Sequence, residues 1–336
     1  MAINYLDKFK GTLLGVAIGD TLGAPFEGEL RSIIHSNFTN FEEFIKSNKK
    51  LFNTYTDDTQ LTLHTAEALI KGAGYDIDYL INAYIKWLDD PPIGPGYGCL
   101  SSIRKLNYGV PWQEAASDSG GNGTAMRVAP IGLFFSKDLE KLKSMAIESS
   151  QITHSHPAAS AGALVVARSV AYLIERPSSE RIDADDFFNA IISPILNSED
   201  EIWEEFIGIL RKVQSSINAS TLESGLIKFS QAGVKAPYFI ESYLGKAFVH
   251  PYTLSTVACA IFVFMKKQRS FKECIYALST AGGDSDTIGA IGGALAGAYF
   301  GRNEIPNELI DLIKNKRKIL KICEDLYTRF KEIYLK

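Results

Sequence analysis

Two short runs of this sequence carry residue types that do chemistry once they are brought together: Thr56-Asp57-Asp58-Thr59 and Asp284-Ser285-Asp286-Thr287. In each, two aspartates stand with threonine at the head of an apolar run, two threonines in the first and one in the second. An acid at a helix start has an ordinary role, capping free N–H groups and complementing the dipole. One aspartate suffices for that. Two side by side repel each other, and four repel more if the fold gathers both runs into one place, so a positive charge must lie among them. Carboxylate and threonine oxygens are hard ligands that suit Mg²⁺ or Mn²⁺ rather than Zn²⁺. Four carboxylates suit two such ions, about 3.5 to 4 Å apart as in two-metal hydrolytic sites. Capping remains the alternative for either run taken alone.

The elements that must position these acids are helices. Leu61, Leu63, Ala66, Leu69 and Ile70 predict one that begins near Asp57. AGGDSDTIGAIGGALAGAYFG, residues 281–301, predicts another, with glycines at 289, 293, 297 and 301. The apolar segment Leu6–Gly23 repeats that four-residue spacing at Gly11, Gly15, Gly19 and Gly23. Faces without side chains let two backbones approach closely, so these helices are expected to pack together, offsetting about 1 kcal/mol for each helical glycine. Ile288–Phe300 is too short for the roughly 20 apolar residues of a membrane span.

Pro25 ends the first helix and leaves Glu27 in the following turn, where a solvated surface residue is the plain reading. Residues 28–52 read as a mobile, polar connection. PPIGPGYGC at 91–99 reads as a loop, either a pocket rim with Tyr97 as a stacking surface or a connector. Gly120, Gly121 and Gly123 precede a helix-like run and offer backbone N–H groups to an anion. His154 and His156 precede a helix opened by Pro157, and one imidazole is expected to contact a ligand or order the loop. The charge-rich stretch 176–245 reads as surface helices, a lid or a variable insertion. Helical spacing recurs at 252–265, 271–278 and 319–334, and strand alternation is almost absent. The expectation is one compact all-α domain over 1–336 with many helices.

Composition is consistent with this: 336 residues, 46% hydrophobic, with a formal charge of −4. That is enough chain for a large core, and the acidic balance argues against a nucleic-acid partner. Cys99, Cys259, Cys274 and Cys323 are scattered without paired spacing, so reduced thiols in a cytoplasmic protein are expected. Asp7, Lys8 and Lys10 interrupt the N-terminal stretch where a signal peptide would be apolar.

Five motifs in order, GDTLGAPFE at 19–27, TDDT at 56–59, GNGTAMR at 121–127, THSHP at 153–157 and GGDSDTIGA at 282–290, resemble those of the ADP-ribosylglycohydrolase family. The resemblance implies an all-α fold with a dinuclear Mg²⁺ or Mn²⁺ centre, ligated by Thr56, Asp57, Asp58, Asp284, Asp286 and Thr287. It raises Glu27 to a catalytic-site carboxylate beside Asp57, Asp58 and Asp286. It places Gly121, Asn122, Gly123, Thr124, Met126, His154 and Tyr97 around ADP-ribose. The implied activity is hydrolysis of ADP-ribosylated proteins, arginine-linked first, by a monomer. Serine-linked or other small conjugates and an inactive ADP-ribose-binding protein are the alternatives, and a generic two-metal phosphoesterase is a further one. Two departures stand out. Some arginine-directed members carry an extra carboxylate in the loop matching PPIGPGYGC, which has none after Asp90, and AFVHPY at 247–252 fits only with a gap.

Overall fold

The computed structural model describes residues 3–335 except 39, 75 and 197. Among these, the regular structure is eighteen α-helices and five short 3-10 turns, and the β-pairing is limited to isolated bridges. The all-α expectation holds. Four helices with apolar or small residues around most of their circumference form the centre: Tyr5–Gly23, Pro157–Leu173, Thr253–Lys267 and Ser285–Phe300. A helix that is apolar all round is stable only when covered on every side. Amphipathic helices cover these, including Glu201–Ala219 and Lys316–Tyr334, while Ile77–Trp87 packs on Asp57–Lys71. Lys316–Tyr334 lays Ile319, Ile322, Cys323, Leu326 and Phe330 inward, close to the first helix. No helix among the described residues is long and apolar enough to cross a membrane.

The centre is built on the two glycine ladders. The first helix and Ser285–Phe300 run antiparallel, pairing Gly11 with Gly297, Gly15 with Gly293, Gly19 with Gly289 and Gly23 with Ser285. A Cβ placed on Gly15 would lie 2.1 Å from the carbonyl oxygen of Gly293, so no side chain fits at this seam. The antiparallel sense carries the end of one helix to the start of the other, which brings Asp20 and Glu27 beside Asp284 and Asp286.

Residues 28–52 are not a polar connection. They form the helices Arg31–Asn37 and Phe41–Asn48, and Phe38, Phe44 and Phe52 join Phe26 and Tyr276 in an aromatic cluster. Lysines and glutamates dilute the composition here, while an apolar residue every three or four positions supplies a buried face. The stretch 176–245 does contain surface helices, Ala184–Ile192, Glu201–Ala219 and Leu222–Phe229. Each buries one side, through Phe187 and Phe188, Phe206 and Leu210, and Leu226 and Phe229. The 91–99 loop is shorter than expected, because a helix opens at Tyr97 after Gly96.

Candidate functional site

The acids meet where three chain segments are tied together by main-chain bonds. Gly28 N–H donates to Gly283 O at 2.9 Å, Gly283 N–H to Glu29 O at 2.8 Å, Val249 N–H to Gly282 O at 3.0 Å and Asp284 N–H to Val249 O at 2.9 Å. Gly282 and Gly283 turn with φ of +84° and +75°, a conformation open to glycine. A Cβ on Gly283 would also strike the backbone of Val249. This clasp fixes Glu27 against the start of the Ser285–Phe300 helix. One carboxylate oxygen from each of Glu27, Asp284 and Asp286 falls within 4.8 Å of the others, in a series from exposed Glu27 to buried Asp286.

Asp57 and Asp58 open the neighbouring Asp57–Lys71 helix, with Thr56 as its N-cap. Asp57 N–H donates to Ile93 O at 2.8 Å, and Gly94 lies against Thr56. The proline-rich loop is therefore a rim of the site rather than a remote connector. The two acidic runs lie within one another's field: Asp58 is raised well above the usual carboxylate range by burial and then by Asp20, Asp57 and Asp284. Asp286 is raised likewise by burial and then by Asp58, Asp284 and Glu27. Burial followed by the charge of Asp20 pushes Asp57 up to about 8, and burial followed by Asp284 raises Glu27.

These residues fit a hard divalent ion. Every donor in the cluster is oxygen, and Asp58 Oδ1 is buried without a hydrogen-bond partner. Among the described residues, no ion pair engages Glu27, Asp57, Asp58, Asp284 or Asp286. Burying unpaired carboxylates is costly, and a cation relieves desolvation and mutual repulsion at once. Thr287 is buried beside them, its N–H donating to Asp286 Oδ1 at 2.9 Å.

The glycine-rich loop differs from its sequence reading. Asn122–Thr124 is a 3-10 turn, and the following helix starts only at Ala129, where Pro130 fits the first turn. Gly121 N–H is already committed to Ser119 Oγ and Asn122 N–H to Pro251 O, so the loop offers an anion fewer donors than its glycines promise. Asn122 turns its Nδ2 to Asp284 Oδ2 and Thr256 Oγ1 and so joins the acidic cluster directly. Thr124 Oγ1 donates to Ala159 O. Met126 is buried, with its carbonyl accepting from Thr62.

The ring of His154 lies under Gly123. Burial, with the nearby Arg127 charge, lowers it to about 3, so it is neutral, and its Nδ1 meets Thr153 Oγ1 at 2.8 Å. Arg127 itself is buried, stacked on Tyr84 at 4.4 Å and donating to Thr153 Oγ1 at 2.7 Å. His156 accepts from Ala158 N–H and caps the Pro157 helix. Tyr97 stands on the rim, 87% exposed. One participant went unnoticed in the sequence: Asp20, fully buried, accepts from the backbone and hydroxyl of both Thr56 and Thr59. Its signal was an acid in the apolar, glycine-stepped second half of its helix.

Fold and site together define an all-helical protein with an oxygen-lined cluster of carboxylates at two helix starts. The family model described as ADP-ribosylglycohydrolase matches residues 1–335, and the chain belongs to that family, whose members hydrolyse ADP-ribosyl glycosidic bonds. It is similar to the ADP-ribosylhydrolase ARH3 of Xenopus tropicalis, 26% identical over 90% of this chain and 89% of that one. It is also similar to the ADP-ribosyl-[dinitrogen reductase] glycohydrolase of Rhodospirillum rubrum, 26% identical over 90% and 88%. Among solved structures, an ADP-ribosylglycohydrolase-related protein complex shares the fold with a TM-score of 0.71 at 22% identity, covering 97% of this chain and 99% of that one.

Proposed function

We propose that this protein is a divalent-metal-dependent hydrolase that releases ADP-ribose from modified protein side chains, with arginine-linked substrates preferred. The observation that carries the reading is the convergence of Glu27, Asp284 and Asp286 beside an Asp58 oxygen that has no protein partner. Asp57, Asp58, Asp284 and Asp286, with Thr56 and Thr287, would hold Mg²⁺ or Mn²⁺, and two ions suit four carboxylates. When bound, the metal supplies Lewis-acid polarisation of sugar hydroxyls and of water. The chain's own acids favour the positive charge that develops as the anomeric carbon parts from its leaving atom. Water adds its oxygen to that carbon, and a proton passes to the leaving nitrogen or oxygen. Glu27, exposed and with a pKa raised by burial and then by Asp284, is suited to shuttle that proton or orient the sugar.

A mouth lined by carboxylates attracts a guanidinium and repels an acidic target, which favours arginine linkage. The rim loop 91–96 brings no carboxylate, and this favours serine-linked or other neutral conjugates as the second reading. Purified protein incubated with arginine-linked and serine-linked ADP-ribosyl peptides, with Mg²⁺, Mn²⁺ or EDTA, decides between them. Intact ADP-ribose released only with metal is the expected result. AMP or phosphate as product would indicate a phosphoesterase, and tight ADP-ribose binding without release would indicate a binding protein.

A further inference from the structure

The chemistry above does not use Asp20, which lies in the first helix, 36 positions before Thr56. Its carboxylate accepts Thr56 N–H at 2.9 Å, Thr56 Oγ1 at 2.9 Å, Thr59 N–H at 3.0 Å and Thr59 Oγ1 at 2.6 Å. Two of these donors belong to the start of the Asp57–Lys71 helix, where N–H groups have no partner within the helix. An acid of the helix's own first turn commonly serves such donors. Here the acid comes from another helix, and Asp58 Oδ1 is left without a partner. The second helix start follows the same pattern. Asp284 occupies the N-cap position of Ser285–Phe300 without a side-chain capping bond, and accepts from Asn122 instead.

We infer that Asp20 is a positioning residue for the cation site: by capping the Asp57 helix from outside, it keeps Asp58 Oδ1 free to face the metal, while Asp58 Oδ2 shares the Thr56 hydroxyl at 3.0 Å. The inference rests on the metal-dependent reading above. Removing the acceptor leaves the Thr56 and Thr59 donors to the carboxylate of Asp58, which already meets Thr56 Oγ1 through Oδ2 and then turns its free oxygen away from the ion. Asn is isosteric with Asp, yet it keeps only one accepting oxygen and sets an NH₂ group against threonine donors.

The test is Mn²⁺ binding to the full chain, by calorimetry or paramagnetic resonance, for the unsubstituted protein, Asp20→Asn and Thr59→Ala, each checked for folding by circular dichroism. Thr59 lies outside the proposed ligand set, and its hydroxyl donates to Asp20, so it covers the case in which Asp20→Asn does not fold. The expected result is at least a ten-fold loss of Mn²⁺ affinity in Asp20→Asn and a smaller loss in Thr59→Ala, together with a raised Mn²⁺ requirement for activity. A merely structural role would lower Tm and leave Mn²⁺ affinity unchanged, and that outcome in either folded variant overturns the inference. Failure of the unsubstituted protein to bind Mn²⁺ overturns the metal reading itself and this inference with it.

Discussion

Gly19→Ala tests the helix seam that holds the site together. The added Cβ would lie 1.9 Å from the carbonyl oxygen of Gly289 and 2.3 Å from its carbon. Contacts this short do not occur, and the obstacle is backbone, which has no rotamer to change, so the helices must separate by more than an ångström. That separation also loosens the Gly15–Gly293 and Gly23–Ser285 contacts along the same seam. Overpacking of a core costs roughly 1–3 kcal/mol, and a backbone obstacle belongs at the upper end of that range. Replacing a helical glycine returns about 1 kcal/mol of propensity, so the net loss expected is about 2 kcal/mol. For a chain of 336 residues that is roughly 3 °C in Tm. Gly208→Ala is the control: it sits exposed in Glu201–Ala219 with no atom within 4 Å of its added Cβ, and about 1 kcal/mol of stabilisation is expected. The assay is thermal unfolding by circular dichroism, paired with turnover, since Asp20 and Glu27 move with the first helix. Equal Tm values for the two variants would refute the claim that the seam is set by backbone contact.

Asp286→Asn is expected to abolish turnover and Mn²⁺ binding while raising the metal-free Tm by a few degrees, because a buried carboxylate repelled by Asp58, Asp284 and Glu27 is neutralised; a lower metal-free Tm would contradict the electrostatic account. Asp57 is pushed up to about 8 in the folded protein, against about 3.9 in an unfolded chain. The fold therefore binds that proton more tightly than the unfolded chain does, and metal-free stability should fall as pH rises from about 4 through about 8. Thermal scans in EDTA check this. Mn²⁺ is expected to restore Tm more at pH 8 than at pH 5, and equal restoration at both would count against carboxylate ligation. Tyr97→Ala, at an exposed rim position, should raise KM for the ADP-ribosyl peptide with little change in Tm, as steady-state kinetics will show; an unchanged KM would make Tyr97 a bystander.

What could be read from the sequence, and what could not, follows from how each residue's role is encoded. The two acidic runs were visible because capping alone does not call for paired aspartates at such close spacing. Asp20 was invisible in that sense. It serves a helix other than its own, and its partners, Thr56 and Thr59, look like ordinary first-turn residues until the fold brings it to them. The glycine turn at 121–124 misled because Pro130, not the glycines, sets where the next helix begins. The aromatic cluster of 28–52 was masked by the charged residues between its phenylalanines. The glycine ladders went further than any local signal. Two helices with glycine every fourth residue can merge their bare faces in an antiparallel pair, and pairing Gly11 with Gly297 then forces Gly23 onto Ser285. Glu27 lies four residues beyond Gly23, and Asp284 one residue before Ser285. A repeat of the smallest side chain, which carries no chemistry of its own, thus determines which distant carboxylates can share an ion.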